Sequence, residues 1–178
     1  MSTAFSPAPP ARTPPPVALV NLPFHRCLMP PIGLGVLKAT LAAAGLPATV
    51  HNLNLDLLPE MGAGAAEALE RYEWLGNNIS VTLAGEWLFS PPDPGRDERY
   101  LALLSSSGHP AARIDLLRRL RPRVDGIVQR WARRVVATGA DVVGFSTSYS
   151  RTRAAARLAA EIRRLAPGTS TGTRRRGR

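Results

Sequence analysis

Val17-Ala18-Leu19-Val20-Asn21-Leu22, stopped by Pro23, is the stretch from which the fold follows. A short continuous apolar run, without the polar alternation of a half-solvated strand, suits a strand buried on both faces of a parallel sheet. A loop through His25, Arg26 and Cys27 leads to Pro30-Pro31. Leu34, Leu37, Leu41 and Ala44 then recur at helical spacing, and Gly45 falls where a glycine stops a helix. Ala48-Thr49-Val50-His51-Asn52-Leu53 reads as the second strand. Strand, helix and strand within about 35 residues make a βαβ unit, with a right-handed crossover and its loops at one sheet edge. The expected class is α/β, a Rossmann-like open parallel sheet with flanking helices.

Moving outward, Asp141-Val142-Val143-Gly144-Phe145-Ser146 is the best third strand. Its helix follows, with Ala155, Leu158, Ala159, Ile162 and Leu165 on one face, and Pro167-Gly168 ends it. The middle is less regular. A helix is expected from Ala63 to Trp74 and another over Glu98 to Leu104, separated by Gly85–Phe89 and a Pro91–Gly95 breaker. A long amphipathic helix begins near Ile114 and is broken or restarted at Pro122. Beyond it Val124, Ile127, Val128, Trp131 and Val135 form the apolar stripe, with Arg130, Arg133 and Arg134 outside it.

After Gly168 the pattern calls for another apolar strand. Thr169 to Arg178 holds no Val, Ile, Leu or Phe and four arginines, so no strand is expected there and the sheet is expected to be incomplete. A reading-frame shift after Gly168 is the simplest account, with a natural basic tail as its rival. The domain is therefore drawn from 17 to 168, with a basic non-native or disordered segment over 169–178. Residues 1–16, with six prolines from Pro7 to Pro16, are expected to be an extended, disordered leader.

Composition sets the outer limits. The 178 residues are 44% hydrophobic and 20% charged, a globular profile. No stretch approaches the roughly 20 apolar residues of a membrane span, and no secretory signal pattern opens the sequence, so a cytoplasmic protein is expected. A single cysteine, Cys27, excludes an internal disulfide and an iron–sulfur cluster held by several of these residues. The net charge of +10 is localised: Arg113 to Arg134 hold eight arginines against two aspartates, and the last ten residues add four more without an acid. A nucleic-acid binder spreads such charge over a face, so no nucleic-acid partner is expected.

Candidate chemistry is sparse. Gly33 and Gly35 hint at a dinucleotide fingerprint, but Lys38 stands at the third glycine position and ten residues separate Leu22 from Gly33. Close packing at a helix start is the simpler reading of both. His25, His51 and His109 are too scattered for a sequence-local metal site, and His51 reads as a partly buried, hydrogen-bonded strand residue. Cys27 is read as an inert loop thiol, and Glu86 as either a buried functional carboxylate or a solvated loop acid. Ser146-Thr147-Ser148-Tyr149 says more. A run of hydroxyls at a strand's carboxyl end, before a helix N-terminus, suits phosphate or ribose oxygens, whereas capping by Ser148 or Ser150 accounts for one hydroxyl only.

The order of these segments resembles the N-terminal cobalamin-binding region of radical-SAM enzymes, particularly those that modify ribosomally made peptides. The residues that carry it are Val17–Phe24, Pro30–Ala39, Asn52–Leu55, Leu83–Phe89 and Ala140–Ser148. The resemblance implies a Rossmann-like domain of the cobalamin-binding type. Asn21, Pro30, Pro31 and Gly33 would face the corrin, and Ser146, Thr147, Ser148 and Tyr149 would receive the nucleotide tail. The Asp-x-His-x-x-Gly motif is absent, Asp56-Leu57-Leu58 being the nearest start, which implies a His-off cobalamin. Leu22 stands where the family has a proline, and neither the Gly-Gly segment nor the Cys-x-x-x-Cys-x-x-Cys motif occurs. The iron–sulfur cluster and S-adenosylmethionine would belong to a catalytic domain outside these residues. The implied partners are cobalamin, a separately encoded radical-SAM domain and a precursor peptide, with no membrane. The chain would carry no catalytic and no metal-ligating residue of its own. A small α/β nucleotide-binding or interaction module sharing the same sheet is the alternative.

Overall fold

The computed structural model describes residues 14–62, 64–78, 83–147 and 151–173. The expected leader lies outside them up to Thr13. Four strands form one all-parallel sheet: β1 (Val17–Asn21), β2 (Ala48–Asn52), β3 (Val142–Ser146) and β4 (Ser170–Thr173). Their order is β2-β1-β3-β4, the opening part of a doubly wound arrangement. The protein is α/β with a Rossmann-like open parallel sheet. β1 is central and Ala18 to Leu22 are each at most 2% exposed, as an apolar run without alternation requires.

Seven α-helices accompany the sheet among the described residues: α1 (Ile32–Ala43), α2 (Ala65–Asn78), α3 (Ala84–Leu88), α4 (Pro94–Ser106), α5 (Ala111–Leu120), α6 (Val124–Val136) and α7 (Thr152–Leu165). Right-handed crossovers put α1 on one face of the sheet and send the β2-to-β3 and β3-to-β4 connections to the other. The second face is the core. There Ala18, Val20, Val143 and Phe145 pack with Trp131, Val135, Leu158, Ile162 and the buried residues of α2 to α5. Leu19 and Leu34, on the α1 side, are buried but stand outside that cluster. β3 shows the difference between the faces: Val143 is 0% exposed and Val142 is 36% exposed.

Local signals explain most helix boundaries. α1 ends in a Schellman motif, with Gly45 at φ 72° and the Leu46 N–H on the Leu41 carbonyl at 2.9 Å. Asp93 caps α4 by accepting the Arg96 N–H at 3.0 Å, with Pro94 at the first helical position. The Pro91–Gly95 breaker is thus the start of a helix, which begins four residues before the expected Glu98. Pro122 sits in a 3-10 turn, Arg121–Arg123, that joins α5 to α6. The helix expected over Ala63–Trp74 runs instead from Ala65 to Asn78, and Ala63 lies outside the described residues.

Two expectations are overturned here. Gly33 and Gly35 do not serve close packing: a Cβ on either would meet nothing within 4 Å. A strand does form after Gly168. β4 pairs in parallel with β3, Ser170 against Val142 and Thr171 against Val143, so the sheet continues past the expected boundary at 168. A buried strand would need apolar side chains on both faces. β4 is an edge strand with Ser170 and Gly172 exposed, held by backbone bonds that need no apolar side chains.

Arg121 ties the α3–α4 region to α5. Its Nε and Nη2 donate to the Asp97 carboxylate at 3.0 and 3.1 Å, and Nη1 donates to the carbonyls of Trp87, Leu88 and Ser90 at 2.9, 2.6 and 2.8 Å. The guanidinium also lies over the Trp87 ring, 5.0 Å from its centroid. Both ionised side chains are largely buried, at 10% and 19% exposure. Arg121→Met should lower the unfolding free energy by about 3 kcal/mol in urea titrations, because it strips the Asp97 carboxylate and the Leu88 and Ser90 carbonyls of their guanidinium donors, Trp87 O keeping its bonds from Ser90. Deleting Thr169–Arg178 should cost about 1 to 2 kcal/mol in the same assay, the worth of a few edge-strand hydrogen bonds. An unchanged midpoint for that deletion would mean that β4 adds nothing to the sheet.

Candidate functional site

The sheet order places a switch point between β1 and β3. The chain leaves β1 towards α1 on one face and leaves β3 towards α7 on the other, so the adjoining carboxyl ends open a crevice where ligands of such sheets bind. The register sets Asn21 beside both Asn52 and Ser146. Asn21 is 1% exposed; its Nδ2 donates to Asn54 Oδ1 at 3.0 Å, and its Oδ1 is buried with no partner among the described residues. The Asn54 N–H donates to the Asn21 carbonyl at 3.2 Å. Asparagines 21, 52 and 54 thus form a polar seam at this edge. Of the three, Asn21 is the one that the family resemblance implies as a site residue.

The loop after β1 is pinned by two consecutive residues of α2. The Tyr72 hydroxyl accepts the Phe24 N–H at 3.0 Å and donates to the His25 carbonyl at 2.9 Å. The Glu73 carboxylate accepts the Cys27 N–H at 2.8 Å and pairs with Arg26 at 3.4 Å. Phe24 is held at φ 65°, which a bulky side chain rarely adopts, with its ring stacked on Tyr72 and edge-on to Phe89. Neither Tyr72 nor Glu73 stands out in the sequence, because nothing in a helix pattern marks a residue that serves a loop 47 positions away.

Burial pushes the Cys27 thiol up to about 11, with the Glu73 charge adding to the effect. Cys27 is therefore a protonated thiol, in agreement with its reading as inert. His25 is lowered first by burial; Nδ1 faces the Arg26 carbonyl at 3.0 Å, and Arg151 and Glu73 act on the ring in opposite directions. Arg151, on the β3–α7 connection, is pulled below its ordinary range by burial and held up by Tyr72, and its Nε is buried without a partner among the described residues. His51 is 6% exposed, but its Nε2 has no partner among the described residues, so the expected hydrogen bond is missing at that atom. Its register with Val20 turns it to the core face of the sheet. His109 stands edge-on to Trp74 at 5.8 Å.

Glu86 resolves neither as a free loop acid nor as a reactive group. Its two oxygens accept the Thr152 and Arg153 N–H groups at 2.8 and 3.0 Å, capping α7. The helix amides that the sequence reading reserved for a ligand are taken by this carboxylate. Besides Asn52 and Asn54, the polar side chains around the crevice include Asn21, Ser146, Thr147 and Arg151. Ser146 and Thr147 are half-buried, whereas Ser148 and Tyr149 lie outside the described residues.

Pro30, Pro31 and Gly33 belong to a different surface. They sit among exposed apolar side chains of the β1–α1 loop and the start of α1: Leu28 at 72%, Met29 at 49%, Ile32 at 71% and Val36 at 61%. The structure thus brings Asn21 to Ser146 by strand register, while the prolines and Gly33 form an apolar shelf on the loop leading away. Among the described residues no group of three His, Cys, Asp or Glu side chains is arranged to hold a metal ion, and no helix is long and apolar enough to cross a membrane. No family model, curated protein or solved structure matches the chain.

The thiol sets a pH-dependent prediction. Raised from 9.0 to about 11, Cys27 holds on the order of a hundredfold less thiolate than an unperturbed thiol at neutral pH. Alkylation by iodoacetamide should be correspondingly slow and should keep accelerating up to a midpoint near 11. Rapid labelling with a midpoint below 9.0, the unperturbed value, would show an activated cysteine instead.

Proposed function

We propose that the chain is the cobalamin-binding portion of a radical-SAM methyltransferase-like enzyme that modifies ribosomally made peptides. The supporting observation is the β1/β3 switch point, with Asn21 and Ser146 side by side at the strand ends and an exposed apolar shelf on the adjoining loop. A corrin is a broad, largely apolar ring with amide-bearing rims. The shelf around Pro30, Pro31 and Gly33 suits its face, and the buried, unpaired Oδ1 of Asn21 suits an amide donor. Ser146 and Thr147 offer hydroxyls to the ribose and phosphate of the tail, and Ser148 and Tyr149 belong to the same proposal. Arg151 supplies the positive charge that a phosphate would otherwise find in the amides now held by Glu86.

When bound, cobalamin would supply the methyl group that such enzymes transfer to carbon. The residues of this chain bind and orient it. Ligation would be His-off: His51 faces the core, His109 packs on Trp74, and His25 has Nδ1 at the Arg26 carbonyl. Cys27 alone cannot hold an iron–sulfur cluster, so radical generation from S-adenosylmethionine would require a separate catalytic domain. The alternative, a stand-alone nucleotide-binding module, is less well supported because Glu86 holds the first amides of α7, where a nucleotide phosphate would be expected.

Mixing the protein with hydroxocobalamin and recording absorbance tests the proposal. A saturable spectral change is expected. Ser146→Leu with Thr147→Leu should weaken binding roughly tenfold, and replacing His25, His51 or His109 should change it by less than about twofold. The same Leu substitutions should matter little with cobinamide, which lacks the nucleotide tail. A flat titration would refute the cobalamin reading, and equal loss on removing a single histidine would make the site His-on.

A further inference from the structure

A groove runs between α4 and α5. Glu98, Leu101, Ala102 and Ser105 line it from α4, and Ala111, Ile114, Asp115 and Arg118 from α5. Each set has the i, i+3, i+4, i+7 spacing of a single helical face, so two stripes border a common hollow of about 460 Å³. Ala102, Ser105 and Ala111 are small and exposed, and they leave that space unfilled. Leu101 and Arg118 also line a second hollow, of about 280 Å³, where Trp87, Pro92 and Pro122 add apolar walls and Asp125 of α6 stands at the far end. Arg118, Arg121, Pro122 and Asp125 repeat the same spacing, because the backbone stays helical through the Arg121–Arg123 turn. From Ala111 to Asp125 this wall extends about 20 Å at 1.5 Å per residue. Among the described residues the groove is open.

Shape and charge select the occupant. A groove of this length between two helices matches a third helix of about four turns, whose apolar side chains would fill the hollows. Asp97, Glu98, Asp115 and Asp125 line it against Arg118 and Arg121, four carboxylates to two guanidinium groups, in a chain whose net charge is +10. Asp97 and Arg121 are largely buried and neutralise each other. Asp115 and Asp125 remain 51% and 62% exposed although they meet Arg118 and Arg157. Glu98 is exposed and has no ion pair among the described residues. The rim is an acidic exception on a basic protein, and it favours a cationic partner over an anionic one. We propose that the α4–α5 groove docks a basic amphipathic helix of a partner polypeptide, its apolar stripe in the hollows and its cationic side chains against Glu98, Asp115 and Asp125. A second copy of the chain is a poorer occupant, since two molecules of net charge +10 repel each other. The inference goes beyond the cobalamin reading and does not depend on it.

The test uses the full chain and a fluorescent helical peptide of about four turns, built from leucine, alanine and lysine with the leucines on one face. A control peptide of the same composition, with its leucines scattered around the helix, keeps the charge and loses the stripe. Anisotropy should report saturable binding of the first peptide, about tenfold tighter than the control and weakening as salt rises. Ala102→Trp fills the groove from an exposed position and should weaken binding about tenfold or more. Glu98→Lys should weaken it about threefold at low salt and little at high salt. Should Ala102→Trp disturb the helix pair, Ala111→Arg adds bulk and like charge at an exposed first-turn position and should give the same loss. No binding, equal binding of the control peptide, or binding unchanged by both groove substitutions would overturn the proposal. So would self-association of the chain in sedimentation equilibrium that Ala102→Trp abolishes, which would make the occupant a second copy.

Discussion

The guanidinium of Arg121 is the point on which the helical layer hangs. A short helix such as α3 cannot stabilise itself, and its terminal carbonyls would be orphaned inside the protein. Arg121 donates to the carbonyl of Leu88 at its C-terminus and of Ser90 just beyond, adds a bond to Trp87 O, and holds Asp97 of α4 with its remaining donors. The cost of removing two charges from water is offset only because nearly every donor and both carboxylate oxygens are satisfied. The consequence reaches the sheet. α3, fixed in this way, carries Glu86, and Glu86 caps α7 at Thr152 and Arg153. The connection leaving β3 is thereby set by a residue whose partners lie far from the strand.

A second constraint is the inequality of the two sheet faces. Six helices and their aromatic residues cover one, and among the described residues α1 alone covers the other. Only Leu34 of α1 is buried, so the helix contributes little apolar burial and leaves Ile32 and Val36 in solvent. Exposed apolar groups of this kind, contiguous with Leu28 and Met29, usually mark a surface that something else covers. The cobalamin proposal takes up the part near the β1 loop.

The crevice itself is built by subtraction. Glu86 removes the α7 amides, and Tyr72 and Glu73 engage the backbone of the β1 loop. The polar side chains at the strand ends are dominated by amides and hydroxyls, with Arg151 as the nearby cation. On the cobalamin proposal, such a set would suit a neutral, amide-rich or singly anionic ligand better than a polyphosphate, which would seek several free backbone donors.

The sequence by itself determined the α/β class, the first three strands, the stripe of α6 and the location of Asn21 and Ser146 at strand ends. These follow from periodicity and turn chemistry, which act over a few residues. Its errors came from reading each segment alone. Thr169 to Thr173 looks unfit for a strand by composition, yet an edge position asks only for backbone pairing, and only the neighbouring β3 creates that position. Charge shows the same limit. The basic block from Arg113 to Arg134 looks uncompensated along the chain, but six of its eight arginines meet carboxylates, among them Glu70, Glu60, Asp56 and Asp97 from earlier in the sequence. Glu86 had no readable role until folding set it against α7, 66 residues later. Local pattern determines which elements form; which side chain completes another element's unsatisfied groups depends on long-range contacts, and only the tertiary structure decides those.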